Sequence, residues 1–416
     1  MAGPGRRLKT IREDLSILRG NFLVLMVTWI LWRFAFRMVM PYSSLYIRAL
    51  GASPTVLGMM TSIYTALFCL SLIPGSYIAD AWGRRRIIVL MTYALSLSYL
   101  FYVLAPSWEL ILVGMCLEAF ARIYNPALQA ITADSIPPEK RGLGYAMIKV
   151  IPDLFAIASP LIVVALIRQY GFLPGLRMAY AVVVAAGLTA ATIRLLFLKE
   201  TIRPRPPRKK GILSVYSESL REMVRTIRGA SRDLKVVIFV PLLAFPLLNA
   251  LWTFIPLFAV DHAGITNEEW GLMASIRMGF GLATGLVLGK LADRLGRKKP
   301  IVASCLIRSA AFLSLAFTTG FAPVLAVMLA LELAIGLSVP SFSALMADLT
   351  PREERGRVIG ANALVSSLAN IPVPFLVGFL YEHVSPYLVL YISSAAFALV
   401  ALLLAILVRE PEEREL

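Results

Sequence analysis

Polar breaks divide the chain into about twelve apolar runs of roughly 20 to 26 residues. At about 1.5 Å per residue, each can cross a hydrocarbon layer of roughly 30 Å. Inside such a layer every backbone polar group must find a partner within a helix or a closed barrel. The length of the runs, and their lack of polar–apolar alternation, selects helices. The expected fold class is an all-α membrane protein with twelve transmembrane helices. The first six spans are expected at 22–47, 54–79, 87–105, 109–133, 143–167 and 177–198. The second six are expected at 236–259, 269–292, 300–319, 323–347, 357–382 and 386–408. A hydrophobic content of 58% and a mean hydropathy of +0.76 exclude an ordinary water-soluble globule.

The net charge of +16 raises the question of a nucleic-acid partner, but the basic residues form no patch interleaved with aromatics. Most fall in the terminal tails and in alternate loops, the distribution that marks a cytoplasmic face and places both termini there, in a cell-membrane protein. Residues 1–21, with Arg6, Arg7, Lys9, Arg12 and Arg19 and no small-residue cleavage site, are expected to be a retained cytoplasmic tail. Residues 409–416 form the other tail. Residues 199–235 read as a cytoplasmic linker, beginning with the tract Arg203-Pro204-Arg205-Pro206-Pro207-Arg208-Lys209-Lys210, which neither helix nor lipid accepts. Ile212, Val215, Leu220, Met223, Val224 and Ile227 then recur at helical spacing among Arg221, Arg225 and Arg228. They predict an amphipathic helix on the membrane interface, with a solvated connector as the alternative.

Cys69, Cys116 and Cys305 lie inside apolar runs without metal-ligand spacing, which supports neither a disulfide framework nor zinc. The two histidines, His262 and His383, have no nucleophile or metal-spaced partner, and the chain has no phosphate-binding glycine loop. Enzymatic activity, a cofactor and ATP drive are therefore not expected.

The chain is also a duplication. Ala79-Asp80-Ala81-Trp82-Gly83-Arg84-Arg85-Arg86 returns as Ala292-Asp293-Arg294-Leu295-Gly296-Arg297-Lys298-Lys299, each copy lying between two apolar runs. Glu118, Pro126, Ala133, Asp134, Pro137, Glu139, Arg141 and Gly142 return as Glu332, Pro340, Ala347, Asp348, Pro351, Glu353, Arg355 and Gly356. The offset is constant at 214 residues, and Pro160 and Pro374 keep it. Two six-helix bundles, 22–198 and 236–408, are expected to be related by pseudo-symmetry.

The segment Gly289-x-x-x-Asp293-Arg294-x-Gly296-Arg297-Lys298 resembles the signature loop of the major facilitator superfamily (MFS) of secondary transporters. The first copy is looser, with Ser76 and Ala81 where the family pattern has Gly and Arg. The resemblance covers roughly residues 20 to 410. It implies alternating access, usually by a monomer, with spans 1, 4, 7 and 10 lining a central cavity. It also implies that Asp80 and Asp293 contact the other half when the cytoplasmic side is closed. The family's antiporter motif in span 5 is reduced to Pro160, and Gly114 stands where drug-efflux members carry an Arg in span 4.

Charges within spans are costly, so they mark function or a partner. Here they are Arg33, Arg37, Glu118, Arg122, Lys149, Asp153, Arg277, Arg308 and Glu332. Arg33, Arg37, Glu118, Arg122, Asn125, Trp252 and Glu332 are the expected substrate-binding residues, the surplus cations taking an anionic group. In the competing reading Arg33 pairs with Asp153, Arg37 with Glu118, and the charges only lock helices together. Glu118, Asp153 and Glu332 are the expected proton-coupling acids, because burial favours the neutral form of a carboxyl group. Arg308 has no assignable partner.

Asp134 and Asp348, at the C-terminal ends of spans 4 and 10, face an unfavourable helix dipole and need cations. Arg84 or Arg85, and Arg297 or Lys298, can supply them. A cytoplasmic gate is therefore expected from Asp80, Gly83, Arg84, Arg85, Asp134, Arg141, Asp293, Gly296, Arg297, Asp348 and Arg355. The function expected is secondary active transport of a small solute across the lipid bilayer, with an organic anion and coupled protons as refinements. Efflux of amphipathic or cationic compounds, or ligand sensing without transport, are the alternatives.

Overall fold

The computed structural model describes residues 17–203 and 212–408, except the side chains of Ile73, Ser76, Tyr77, Ala79, Asp80, Ala81, Ile212, Leu213, Val215, Leu286, Ala292 and Asp293. Most of the N-terminal tail, the C-terminal tail, the tract from Pro204 to Lys210 and the gate candidates' carboxylates at Asp80 and Asp293 thus lie outside the described residues. The described residues form helices joined by short turns, with no strand.

Eleven of these helices are long and apolar enough to cross a membrane. They are Gly20–Ala49, Pro54–Leu72, Arg84–Leu104, Trp108–Asp134, Pro138–Tyr170 and Phe172–Phe197, followed by Arg232–Asp261, Asn267–Leu291, Phe321–Asp348, Arg355–His383 and Pro386–Leu407. They are spans 1–8 and 10–12. Span 9 is the 18-residue helix Lys298–Leu315, less apolar because it carries Lys298, Lys299 and Arg308. The linker forms the helix Ile212–Gly229, on which Leu220 and Val224 are exposed.

Local chemistry sets the helix ends and breaks. Thr266 and Glu269 close a capping box at the start of span 8, and the Ser231 and Ser385 side chains cap spans 7 and 12. Both signature-loop glycines turn the chain through the left-handed region, Gly83 at φ 91° and Gly296 at φ 89°. Prolines interrupt span 1 at the 3₁₀ turn Met40–Tyr42 and span 7 at Val240–Leu243. Spans 5 and 11 both break and restart with a proline in the first turn, Pro160 in Ser159–Tyr170 and Pro374 in Val373–His383.

The chain forms two compact units, residues 1–40 with 70–215 and residues 41–69 with 216–416. In the first, Trp32, Phe36, Tyr99, Tyr102 and Tyr180 form a continuous aromatic cluster. The same core holds the buried Arg194, whose Nε donates to Thr28 Oγ1 at 3.1 Å and Nη1 to Thr92 Oγ1 at 2.8 Å, tying span 6 to spans 1 and 3.

In the second unit, the 41–69 segment meets span 11 backbone to backbone. A Cβ on Gly58 would lie 2.3 Å from the Pro374 carbonyl oxygen, and one on Gly378 would lie 2.4 Å from that of Pro54. Small residues allow such approach between helices in lipid. Gly58→Leu is expected to cost about 1–3 kcal/mol through overpacking and to lower the melting temperature in detergent. Gly285→Leu, at a glycine with open space around it, is expected to leave the melting temperature unchanged.

Candidate functional site

Arg33 and Arg37 stand one helical turn apart on span 1, and both face Asp153 of span 5. Arg33 Nη1 lies 2.6 Å and Arg37 Nη2 3.9 Å from Asp153 Oδ1. Two guanidinium groups thus share one carboxylate, leaving the cluster with a surplus positive charge. All three side chains are about a quarter to a third exposed. On span 4, Arg122 donates to Glu118 Oε1 from Nη2 at 2.6 Å and from Nε at 3.2 Å, an i,i+4 pair whose carboxylate is buried. Asn125 opens the helix Asn125–Asp134 directly after the 3₁₀ turn Arg122–Tyr124, and Lys149 is exposed.

The second unit has its own charge pair. Arg277 Nε of span 8 lies 3.2 Å from Glu332 Oε1 of span 10. Its guanidinium sits 4.6 Å from the centre of the Trp252 ring, a cation–π contact that fixes it from the other side. Gly281 leaves room for this carboxylate, since a Cβ there would lie 3.2 Å from Glu332 Oε2. The structure therefore joins Arg33 to Asp153, Glu118 to Arg122 and Trp252 to the Glu332 pair. Arg37 reaches the carboxylate that Arg33 holds.

At the signature-loop end the two units repeat one ion pair. Arg84 Nη1 bonds Asp134 Oδ2, and Arg297 Nε lies 3.3 Å from Asp348 Oδ2. Each neutralises a carboxylate at a helix C-terminus, where the dipole disfavours it. Arg85 turns away from Asp134, its guanidinium donating to the Leu195 carbonyl at 2.6 Å while its backbone N–H donates to Glu200 at 2.9 Å. Arg355 reaches the Ala347 and Thr350 carbonyls at 3.2 and 3.4 Å, capping span 10, whereas Arg141 is exposed.

Opposite this end, the second unit contains a set of contacts absent from the sequence reading. Arg48 pairs with Asp261. Glu382 accepts from Ser53 Oγ at 2.7 Å and from the Thr55 backbone N–H at 2.8 Å, so that span 11 supplies the N-terminal anion of span 2. Trp270 Nε1 donates to the Pro41 carbonyl at 2.8 Å. Both histidines of the chain lie here, His262 beside Asp261 and His383 with Nδ1 3.5 Å from Thr55 Oγ1. Partial desolvation, and then the Arg48 cation, hold the His262 imidazole below its ordinary pKa, which keeps it neutral at pH 7. Ser53-Pro54-Thr55 carries a helix-start signal, but nothing local points to Glu382. Glu382→Ala is expected to speed thiol labelling of Thr55→Cys severalfold. An unchanged rate would show that the carboxylate does not hold this junction.

The sequence matches the family model of the Major Facilitator Superfamily over residues 22–267 and 237–416. It is 25% identical over 384 residues to multidrug resistance protein 2 of Bacillus subtilis strain 168, covering 90% of this chain and 91% of that protein. It is also 25% identical over 365 residues to multidrug resistance protein MdtG of Enterobacter lignolyticus strain SCF1, covering 85% and 84% respectively. Among solved structures it is similar in fold to the human organic anion transporter MFSD10 (TETRAN), with a TM-score of 0.66 and 17% identity over 92% of this chain and 98% of that one. A POT family transporter in complex with 5-aminolevulinic acid gives a TM-score of 0.74 at 14% identity, covering 92% and 95%. With its twelve-span helical architecture and this match along its whole described length, the chain belongs to the Major Facilitator Superfamily and is a multi-pass membrane transporter, not an enzyme.

Proposed function

We propose that this transporter is a proton-driven exporter of amphipathic small molecules, working as a monomer in the cell membrane with both termini in the cytoplasm. The reading rests on one observation: each acid at mid-span depth is held by a guanidinium, Glu118 by Arg122, Asp153 by Arg33 and Arg37, and Glu332 by Arg277. A hydrogen-bond donor on the substrate and a proton compete for such a carboxylate, so that binding of one releases the other, as exchange requires. The surplus cation of the Arg33–Arg37–Asp153 cluster favours ligands with an anionic group. The names of the bacterial relatives support export of drug-like compounds, and the concentration of basic residues in alternate loops supports the orientation.

In this cycle the Arg84–Asp134 and Arg297–Asp348 pairs, with Asp80 and Asp293, form the cytoplasmic gate. The junction of Arg48, Asp261 and Glu382 with the 41–69 segment forms the outer one. Each contact is individually weak enough to break in one step of alternating access.

The test is uptake of a fluorescent amphipathic dye into everted membrane vesicles. An imposed acid interior is expected to drive accumulation by the wild type. Glu118→Gln and Glu332→Gln are expected to abolish accumulation while sparing downhill exchange. Accumulation retained in both variants would contradict coupling through these acids. Dye binding without flux would instead identify a sensor.

A further inference from the structure

The second unit holds a cavity of about 820 Å³, open mouth included, between spans 7, 10 and 11. Its wall is mostly apolar, with Leu242, Phe245 and Phe342, and its polar groups are amides and hydroxyls. Asn249 Nδ2 donates to Asn370 Oδ1 at 3.0 Å, and Ser338 and Ser343 lie on the span-10 side. No lining residue carries a charge.

The charge lies one layer behind. Arg308 of span 9 is 2% exposed, and among the described residues no carboxylate pairs with it. Its Nη1 donates to Ser304 Oγ at 3.0 Å and its Nη2 to Ser338 Oγ at 2.8 Å. The guanidinium faces the Phe245 and Phe397 rings at 5.3 and 5.6 Å. Its Nε has no hydrogen-bond partner. Two of its four neighbours, Ser338 and Phe245, are themselves cavity wall. Arg194 in the first unit is equally buried on hydroxyls, so a repeat core tolerates such a cation. What distinguishes Arg308 is the cavity on the far side of its partners. An arginine does not discharge by losing its proton, and in a low-dielectric surround its field reaches across a single side-chain layer.

We infer that this cavity is a subsite for amphipathic organic anions, with the anionic end at Ser338 and the apolar body against Phe245 and Phe342. Arg308 is a positioning residue: it acts on the ligand by its charge across the Ser338 layer and sets the sign of charge the cavity accepts. The inference rests on the exporter reading and names the substrate class for this half of the pathway.

The test uses the purified full-length transporter and three probes of one shape: 1-naphthalenesulfonate, 1-naphthalenesulfonamide and 1-naphthylmethylammonium, with affinities measured by titration calorimetry. The wild type is expected to bind the sulfonate about tenfold or more tighter than the ammonium probe, as one uncompensated charge a few ångströms behind the wall implies. Ser338→Asp places a counter-ion on Arg308 and is expected to remove that preference by weakening the sulfonate far more than the neutral sulfonamide. Should Ser338→Asp fail to fold, Ser343→Asp adds the same charge to the wall without touching the Arg308 hydrogen bonds and carries the same expectation. Equal affinities in the wild type, or an unaltered order in the folded variant, would overturn the inference. Failure of all three probes to bind, with dye export intact, would overturn the subsite alone. The expected order of affinities without any flux would leave the subsite standing and refute export.

Discussion

A charge inside hydrocarbon must be answered by a group within a few ångströms, and this requirement organises the protein more than any other. Desolvating an unpaired ion costs several kcal/mol even after relaxation, and a well-placed partner offsets much of it. The structure meets the requirement in three ways. Arg33 and Arg37 share Asp153, Glu118 and Glu332 each hold one guanidinium, and Arg194 and Arg308 are surrounded by hydroxyls and aromatic faces. Only the first leaves a surplus charge on a partly exposed cluster.

The two ends of the second unit answer a different need. At the signature loops, arginine and aspartate cancel an unfavourable helix dipole by a local pairing that the first unit repeats. Opposite them, the 41–69 segment is held by backbone contact at Gly58 and Gly378, one ion pair and one carboxylate cap. Glycine contacts bring helices close without interlocking long side chains, and a cap or ion pair is worth about 1 kcal/mol. A junction of this composition is specific yet separable. That combination suits a gate better than a large apolar interface would.

Much of this architecture is legible in the sequence, because it follows from short-range rules. Run length gives the spans, the left-handed requirement at Gly83 and Gly296 follows from the loop pattern, and Asp134 and Asp348 announce their need for cations by their place at helix ends. Helical periodicity alone puts Arg33 and Arg37 on one face. What it does not give is which acid that face meets. Arg37 could go to Glu118 or Asp153, and the choice depends on how spans 1, 4 and 5 pack, with Arg122 already occupying Glu118. Arg194, near the end of span 6, is missing from the sequence reading because its hydroxyl partners lie on spans 1 and 3, far away in the chain. Glu382 is illegible for the same reason, since its partners lie more than three hundred residues away in the chain. Arg308 is visible as a buried charge, but only the structure places serines and aromatic rings around it.

The central claim is that in-span charges here function as coupled pairs, and the most direct measurement is a thermal-stability cycle on Arg277 and Glu332 in detergent. The account predicts that Arg277→Leu, which takes the guanidinium away from a partly buried carboxylate, lowers the melting temperature by several degrees. It predicts that adding Glu332→Leu to that variant restores most of the loss, because a pair replaced by apolar groups of similar size is nearly neutral. Additive losses in the double variant would contradict it, showing that the two charges contribute independently and that no pair exists to be exchanged during transport.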